Sequence, residues 1–234
     1  MTDASPIRVA VLGAGGLGKA AARIMSLKRE VSLQAICDSR GVVSSAAGLP
    51  GELIAGVSGD LVEGCRHLQG GGEEDAGGVA VLTAVEARHC DDPIGEILAM
   101  APALDGVLVA LPNLPNAFIP GVIERFAEAD VPLVFVDVLK RTRAVEQLFA
   151  LDPLVKRARS VVMTGCGATP GILAAAAVLA AQSFIEVERV DIWWGVGIAN
   201  WDAYKATIRE DIAHLPGYTV EAAKAMTDAE VDTL

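Results

Sequence analysis

The chain has 234 residues, 52% hydrophobic and only 4% aromatic, with a formal net charge of −11. That length holds one large or two small domains around a sizeable core. The acidic balance argues against nucleic acid or an anionic membrane as a partner, since both reward a basic face, and so apolar a composition points to extensive subunit contact, hence a homo-oligomer.

Residues 7–12 are an apolar run rich in β-branched side chains, which reads as a strand. It stops at Gly13, and Gly13, Gly15 and Gly18 follow at the spacing G-x-G-x-x-G before a helical pattern over 15–28. Gly13 permits a tight turn, Gly15 allows the backbone to approach a diphosphate, and Gly18 lets the helix lie close to the strand. The N–H groups around Gly16 and Leu17 would then face the phosphates at the positive end of the helix dipole. A second apolar run, 31–37, ends in Asp38, twenty residues past Gly18, where a carboxylate is placed for an adenosine ribose. Asp38 favours NAD, while Arg40, two residues beyond it and next to Ser39, favours the extra phosphate of NADP; the choice of NAD or NADP stays open.

Residues 41–78 are rich in Gly, Ser and Ala and read as surface loop, with short helices over 50–55 and 61–68. A strand is predicted over 79–82 and a helix over 93–100. Residues 106–111 form an apolar strand ending in Leu111, Pro112 and Asn113, followed by a helix over 120–129, a strand over 132–136 ending at Asp137, a helix over 144–159 and a strand over 160–163. Strands alternating with helices in this way predict an α/β fold: a Rossmann-like, doubly wound parallel sheet whose ligands collect beyond the carboxyl ends of the strands. Gly13–Gly18, Asp38–Arg40, Pro112–Asn113 and Asp137 with Lys140 would line that crevice.

The turn 164–171 precedes an Ala-rich helix over 172–183 that is apolar on nearly every face, hence expected to be buried on nearly every face. A strand carrying Trp193 and Trp194 is read over 187–198, with helix and loop after it. The domain division read from this is 1–164 for nucleotide binding and 165–234 for the start of a second domain that looks incomplete, because a lone strand cannot cover its own edges.

Three places carry candidate chemistry. Lys140 follows the strand end at Asp137, so it either donates a proton to a carbonyl or imine, or binds a substrate carboxylate, with Asp137 holding its ammonium; the alternative is a solvated Lys-Arg pair opening a helix. Cys166, in a glycine-rich turn before a helix, is either a stabilised thiolate nucleophile or a packing residue, whereas Gly165, Gly167, Thr169, Pro170 and Gly171 around it suit a backbone cradle for ligand. Lys205, Arg209 and His214 are either substrate contacts or the wet face of a helix. Cys37, Cys65, Cys90 and Cys166 form no C-x-x-C pair and the three histidines have no ligand spacing, so reduced cytosolic thiols and no metal are expected. The first six residues carry no leader pattern and the longest apolar run, 172–181, is too short for a bilayer, so a cytoplasmic protein is expected.

Three stretches, Gly13 to Gly18, Ala110 to Asn113 and above all Gly165 to Gly171, together resemble the saccharopine dehydrogenase-like oxidoreductases. The resemblance implies a Rossmann domain, a G-x-x-P-G turn and, over 165–234, an α+β domain for substrate binding and dimerisation, hence a homodimer, with NAD(P)-dependent hydride transfer at a C–N or carbonyl centre of a small amino-acid derivative. The segment from Asp38 to Gly41 looks closer to homoserine dehydrogenases, leaving a homoserine or semialdehyde dehydrogenase-like enzyme as an alternative. A dinucleotide-binding regulatory or scaffold protein without turnover is a third.

Overall fold

A computed structural model describes residues 5–70, 84–112, 115–139, 141–168, 171–192, 208–209, 212–213 and 217–234. Contacts divide the chain into two compact units, Met1–Ala174 and Ala175–Leu234.

In the first unit β1 (Ile7–Leu12) runs into α1 (Gly16–Ser26), which returns to β2 (Val31–Cys37). A hairpin then leads to β3 (Gly41–Ser44), followed by α2 (Gly51–Gly56), α3 (Leu61–Gly70) and β4 (Glu86–His89). The second half of the unit alternates regularly: α4 (Pro93–Met100), β5 (Gly106–Val109), α5 (Phe118–Glu128), β6 (Val134–Asp137), α6 (Thr142–Ala150), α7 (Asp152–Arg157) and β7 (Val161–Met163). The strands form one sheet in the order β4-β3-β2-β1-β5-β6-β7. From β2 through β7 the neighbours are parallel, so β1, β2, β5, β6 and β7 all end at the same sheet edge. The strand order reverses direction between β1 and β5, which is the switch point of a doubly wound α/β fold.

Alternation along each strand feeds an apolar layer on either side of the sheet. Ala10, Leu12, Cys37 and Val107 join Ile123, Phe126, Phe135 and Leu148 in one layer, and Val11, Ile36 and Val43 join Ala22, Ile54 and Leu61 in the other. Phe126 and Phe135 meet edge to face with ring centroids 5.5 Å apart, an arrangement favoured by the ring quadrupoles. Small residues set the helix spacing: a Cβ on Gly51 would lie 2.0 Å from the Ala22 carbonyl oxygen, so α2 packs backbone to backbone on α1.

The structure departs from the sequence reading in four places. First, β3 and β4 pair antiparallel at one sheet edge; β4, Glu-Ala-Arg-His, is mostly exposed and carries no apolar alternation to betray it. Second, the helix expected over 144–159 breaks at Leu151 into α6 and α7, because Pro153 lacks the N–H that a continuous helix needs and suits a first turn instead. Third, α8 (Ile172–Ala181), predicted to be buried on nearly every face, has no buried residue. Fourth, the described part of the strand expected over 187–198, residues 187–192, is not in a strand and is exposed; it has no ladder partner among the described residues. The strand expected over 79–82 and Trp193 and Trp194 lie outside the described residues. The second unit also contains α9 (Val220–Ala225) and α10 (Asp228–Asp232), capped by Thr219 and by a Thr227/Glu230 capping box. No helix among the described residues is long and apolar enough to cross a membrane.

One ion pair gives the first unit an acid-sensitive joint. Asp92 caps α4 by accepting from Gly95 N at 2.9 Å and pairs with Arg125 of α5. The Arg125 guanidinium, and then the Gly95 N–H, push its carboxyl from the ordinary 3.8 down to about 2. A depressed carboxylate stabilises the fold above its unfolded value and ceases to do so as pH falls through the folded one. Melting curves should therefore show wild type more stable than Asp92→Ala at pH 5, with the gap closing between pH 4 and 2; a gap independent of pH would contradict the assignment.

Candidate active site

The first wall of the site is the turn from β1 into α1. Gly13 has φ +103°, and its N–H donates to the Cys37 carbonyl at 3.0 Å, tying the turn to the end of β2. A Cβ there would lie 2.4 Å from Ala110 O, so the β1 and β5 turns touch through backbone. Gly18 sits over Gly13 in the same way, a Cβ on it falling 1.8 Å from Gly13 O. Gly15 and Gly16 have nothing within 4 Å of the Cβ position. Gly15 caps α1 without a side-chain bond, so the first N–H groups of the helix are left to water or ligand. Leu17 is half exposed beside them. Leu111 and Pro112 continue from β5 at the same edge, partly and fully exposed, while Asn113 lies outside the described residues.

The end of β2 is a different matter. Asp38 Oδ1 accepts from Arg40 N at 2.8 Å and Gly41 N at 3.0 Å, and its Oδ2 from Leu61 N at 3.4 Å. This is an Asx-type turn closing the β2–β3 hairpin around Ser39 and supporting the start of α3. The Arg40 guanidinium pairs with Asp60 at 3.2 Å. The two residues assigned to a ribose and its phosphate are thus engaged with the hairpin and the start of α3. The signal for this was present in Asp38-Ser39-Arg40-Gly41, whose Asp-x-x-Gly pattern is that of a turn.

The third wall joins β6 to β7. Asp137, the last residue of β6, is 1% exposed. Its Oδ1 accepts from Leu139 N at 2.8 Å, Thr164 Oγ1 at 2.9 Å and Gly165 N at 3.2 Å, and its carbonyl accepts from Cys166 N at 2.8 Å. Its Oδ2 is buried with no hydrogen-bond partner. Nothing in the spacing singles out Thr164; only the strand register brings its hydroxyl to Asp137. Beyond it, Gly165 (φ +68°) and Gly171 (φ +131°) shape the turn, and a Cβ on Gly171 would lie 2.0 Å from Gly167 O, with which Ile172 N bonds at 2.9 Å. Lys140, Thr169 and Pro170 lie outside the described residues.

Cys166 is exposed, with its thiol directed to Thr164 O. Partial burial, and then the charge of Asp137, push its pKa above the ordinary 9.0. A thiol held protonated is the opposite of an activated nucleophile, so that reading is corrected. Alkylation followed by peptide mass mapping should find Cys166 slower at pH 7.5 than a free cysteine and speeding up well into the alkaline range; rapid modification at pH 6 would contradict this.

In the second unit, Arg209 donates to Met226 O at 3.0 Å and to Asp228 Oδ1 at 2.6 Å. The guanidinium expected on substrate is engaged within its own unit. Lys205 and His214 lie outside the described residues. Among the described residues there is no group of side chains that could hold a metal ion.

The chain is of the doubly wound, Rossmann-like α/β class, and its open glycine turn, strand-end carboxylate and second glycine turn lie at the sheet edge where ligands of that fold class collect. No family model matches the chain. It is 39% identical, over 239 residues covering 97% of this chain and 68% of the relative, to the (S)-8-amino-7-oxononanoate synthase BioU of Haloferax mediterranei. The chain belongs to the BioU family. Among solved structures it is similar to apo saccharopine dehydrogenase (L-Glu forming) of Saccharomyces cerevisiae, at 17% identity and a TM-score of 0.45, over 76% of this chain and 31% of that one.

The family corrects the functional reading. The relative is a synthase, so the expectations of an NAD(P)-dependent dehydrogenase or reductase, of NAD or NADP as cofactor, and of their alternatives (a homoserine or semialdehyde dehydrogenase and a dinucleotide-binding scaffold) are withdrawn. With them goes the cofactor role given to Gly13, Gly15, Gly16, Leu17, Gly18, Asp38, Ser39, Arg40, Leu111, Pro112, Asn113, Gly165 and Gly167. The physical source of the error is that a glycine-rich strand-to-helix turn serves any ligand approaching a helix N-terminus, and fold alone does not assign chemistry.

Proposed function

We propose that this chain forms (S)-8-amino-7-oxononanoate, the compound named for its relative, at the carboxyl edge of the sheet in its first unit. The 39% identity across 97% of the chain is the observation that carries this. By its name the compound bears a carboxylate, a ketone and a neighbouring amine. The open N–H groups at Gly15, Gly16 and Leu17 suit the carboxylate. Lys140, three residues past Asp137, is the proton donor to the carbonyl or a second carboxylate contact. Gly165, Gly167 and Gly171 line the far side, and Thr169 and Pro170 are assigned as substrate contacts on their place in the sequence between them. Residues 165–234 join two copies of the chain into a dimer.

Expression of the chain in a host that lacks its own 8-amino-7-oxononanoate synthase, and needs the compound to grow, tests the reading. Growth is expected, together with the compound in extracts by mass spectrometry. Folded protein without growth or product would overturn it.

A further inference from the structure

Asp137 is unusual in how it uses its two oxygens. Three donors converge on Oδ1, from Leu139, Thr164 and Gly165, while Oδ2 is buried and has no hydrogen-bond donor among the described residues. A buried acceptor left without a donor costs free energy, more so on a carboxylate, and native structures keep such a group where a ligand or water completes it. Asp137 is 99% buried and ends β6, and ligands of open α/β sheets bind beyond exactly such ends. The Oδ1 bonds lock the carboxylate plane, so Oδ2 is held in one direction. A single fixed, negatively charged acceptor in a buried site selects a cationic N–H donor over a neutral one.

We propose that Asp137 Oδ2 receives the ammonium group of the ligand bound at this edge, making Asp137 the residue that selects amine-bearing compounds. This rests on the proposed function, since the compound named there carries an amine beside its ketone.

Titration calorimetry with three probes tests it: (S)-8-amino-7-oxononanoate, its 8-hydroxy analogue and 7-oxononanoate. A charge-assisted bond of the usual strength predicts that wild type prefers the amine about 10- to 100-fold over both others. Asp137→Asn keeps an Oδ1 acceptor for Leu139, Thr164 and Gly165, and should bind 7-oxononanoate as wild type does while losing the preference for the amine. A merely structural role would weaken all three probes equally and overturn the proposal, as would a preference that survives in Asp137→Asn. Should that variant fail to fold, wild type alone decides, because equal affinity for amine and hydroxyl analogue would overturn the proposal. Binding of 7-oxononanoate without preference refutes the subsite alone, whereas binding of none of the probes refutes the proposed function as well.

Discussion

Gly18→Ala is expected to lower the melting temperature by roughly 6–12 °C. The added methyl would lie 1.8 Å from the Gly13 carbonyl oxygen and 3.2 Å from Val11 Cγ1, and the first of these is backbone in a turn already held by Cys37 and Ala110. Relief requires α1 to move off the sheet, taking Ala22 out of the apolar layer. Alanine adds about 1 kcal/mol of helix propensity over glycine, but overpacking against backbone costs more, for a net loss of about 3 kcal/mol. For a chain of this size each kcal/mol is worth about 2–4 °C. Gly16→Ala is the control, because nothing lies within 4 Å of its Cβ position, and its melting temperature should stay within about 2 °C of wild type. Equal melting temperatures for Gly18→Ala and wild type would mean that helix and strand do not approach as described.

Lys140→Met is expected to abolish growth in the synthase-deficient host and to reduce product formation in extracts by about 10²-fold or more, the usual worth of a positioned proton donor. Methionine keeps most of the apolar stem and removes the charge, so stability should change little. Leu139 on one side is buried, with its N–H fixed by Asp137, which sets the direction in which the chain leaves β6. Lys140→Arg separates the two roles. An arginine binds a carboxylate at least as well but surrenders no proton near neutral pH, so retained activity would assign carboxylate binding and lost activity proton donation. Full activity in Lys140→Met would remove the residue from the site.

The parts of the fold that could be read from sequence are those set by local sterics or by complete burial. The spacing Gly13, Gly15, Gly18 is such a case, since two of the three positions exclude a side chain outright. The strands ending at Val109 and Asp137 are another, read from short apolar runs closed by turn residues. What escaped was set by partners distant in sequence. The strand β4 exists because β3 offers it a ladder, not because Glu86 to His89 favour one. Asp38 looks the same in one dimension whether it faces a ribose or its own hairpin, and only the amides of Arg40, Gly41 and Leu61 decide. The site shows the same division. That the strand-end turns gather at one sheet edge followed from topology, and the glycine turns from spacing. Thr164 and the single-sided bonding of Asp137 required the β6–β7 register, in which Val136 stands opposite Met163. The reaction itself was misread because hydride transfer was inferred from a phosphate-type turn, whereas that turn specifies an open helix N-terminus and no chemistry.

The claim on which the rest depends is that the amino-oxo acid is made at the carboxyl edge of β1, β5, β6 and β7. A crystal structure of the protein with (S)-8-amino-7-oxononanoate tests it most directly. The account predicts the carboxylate against the N–H groups of Gly15 to Leu17 and the amine within hydrogen-bond distance of Asp137 Oδ2. Ligand seated away from that edge, in crystals that bind it, would contradict the account.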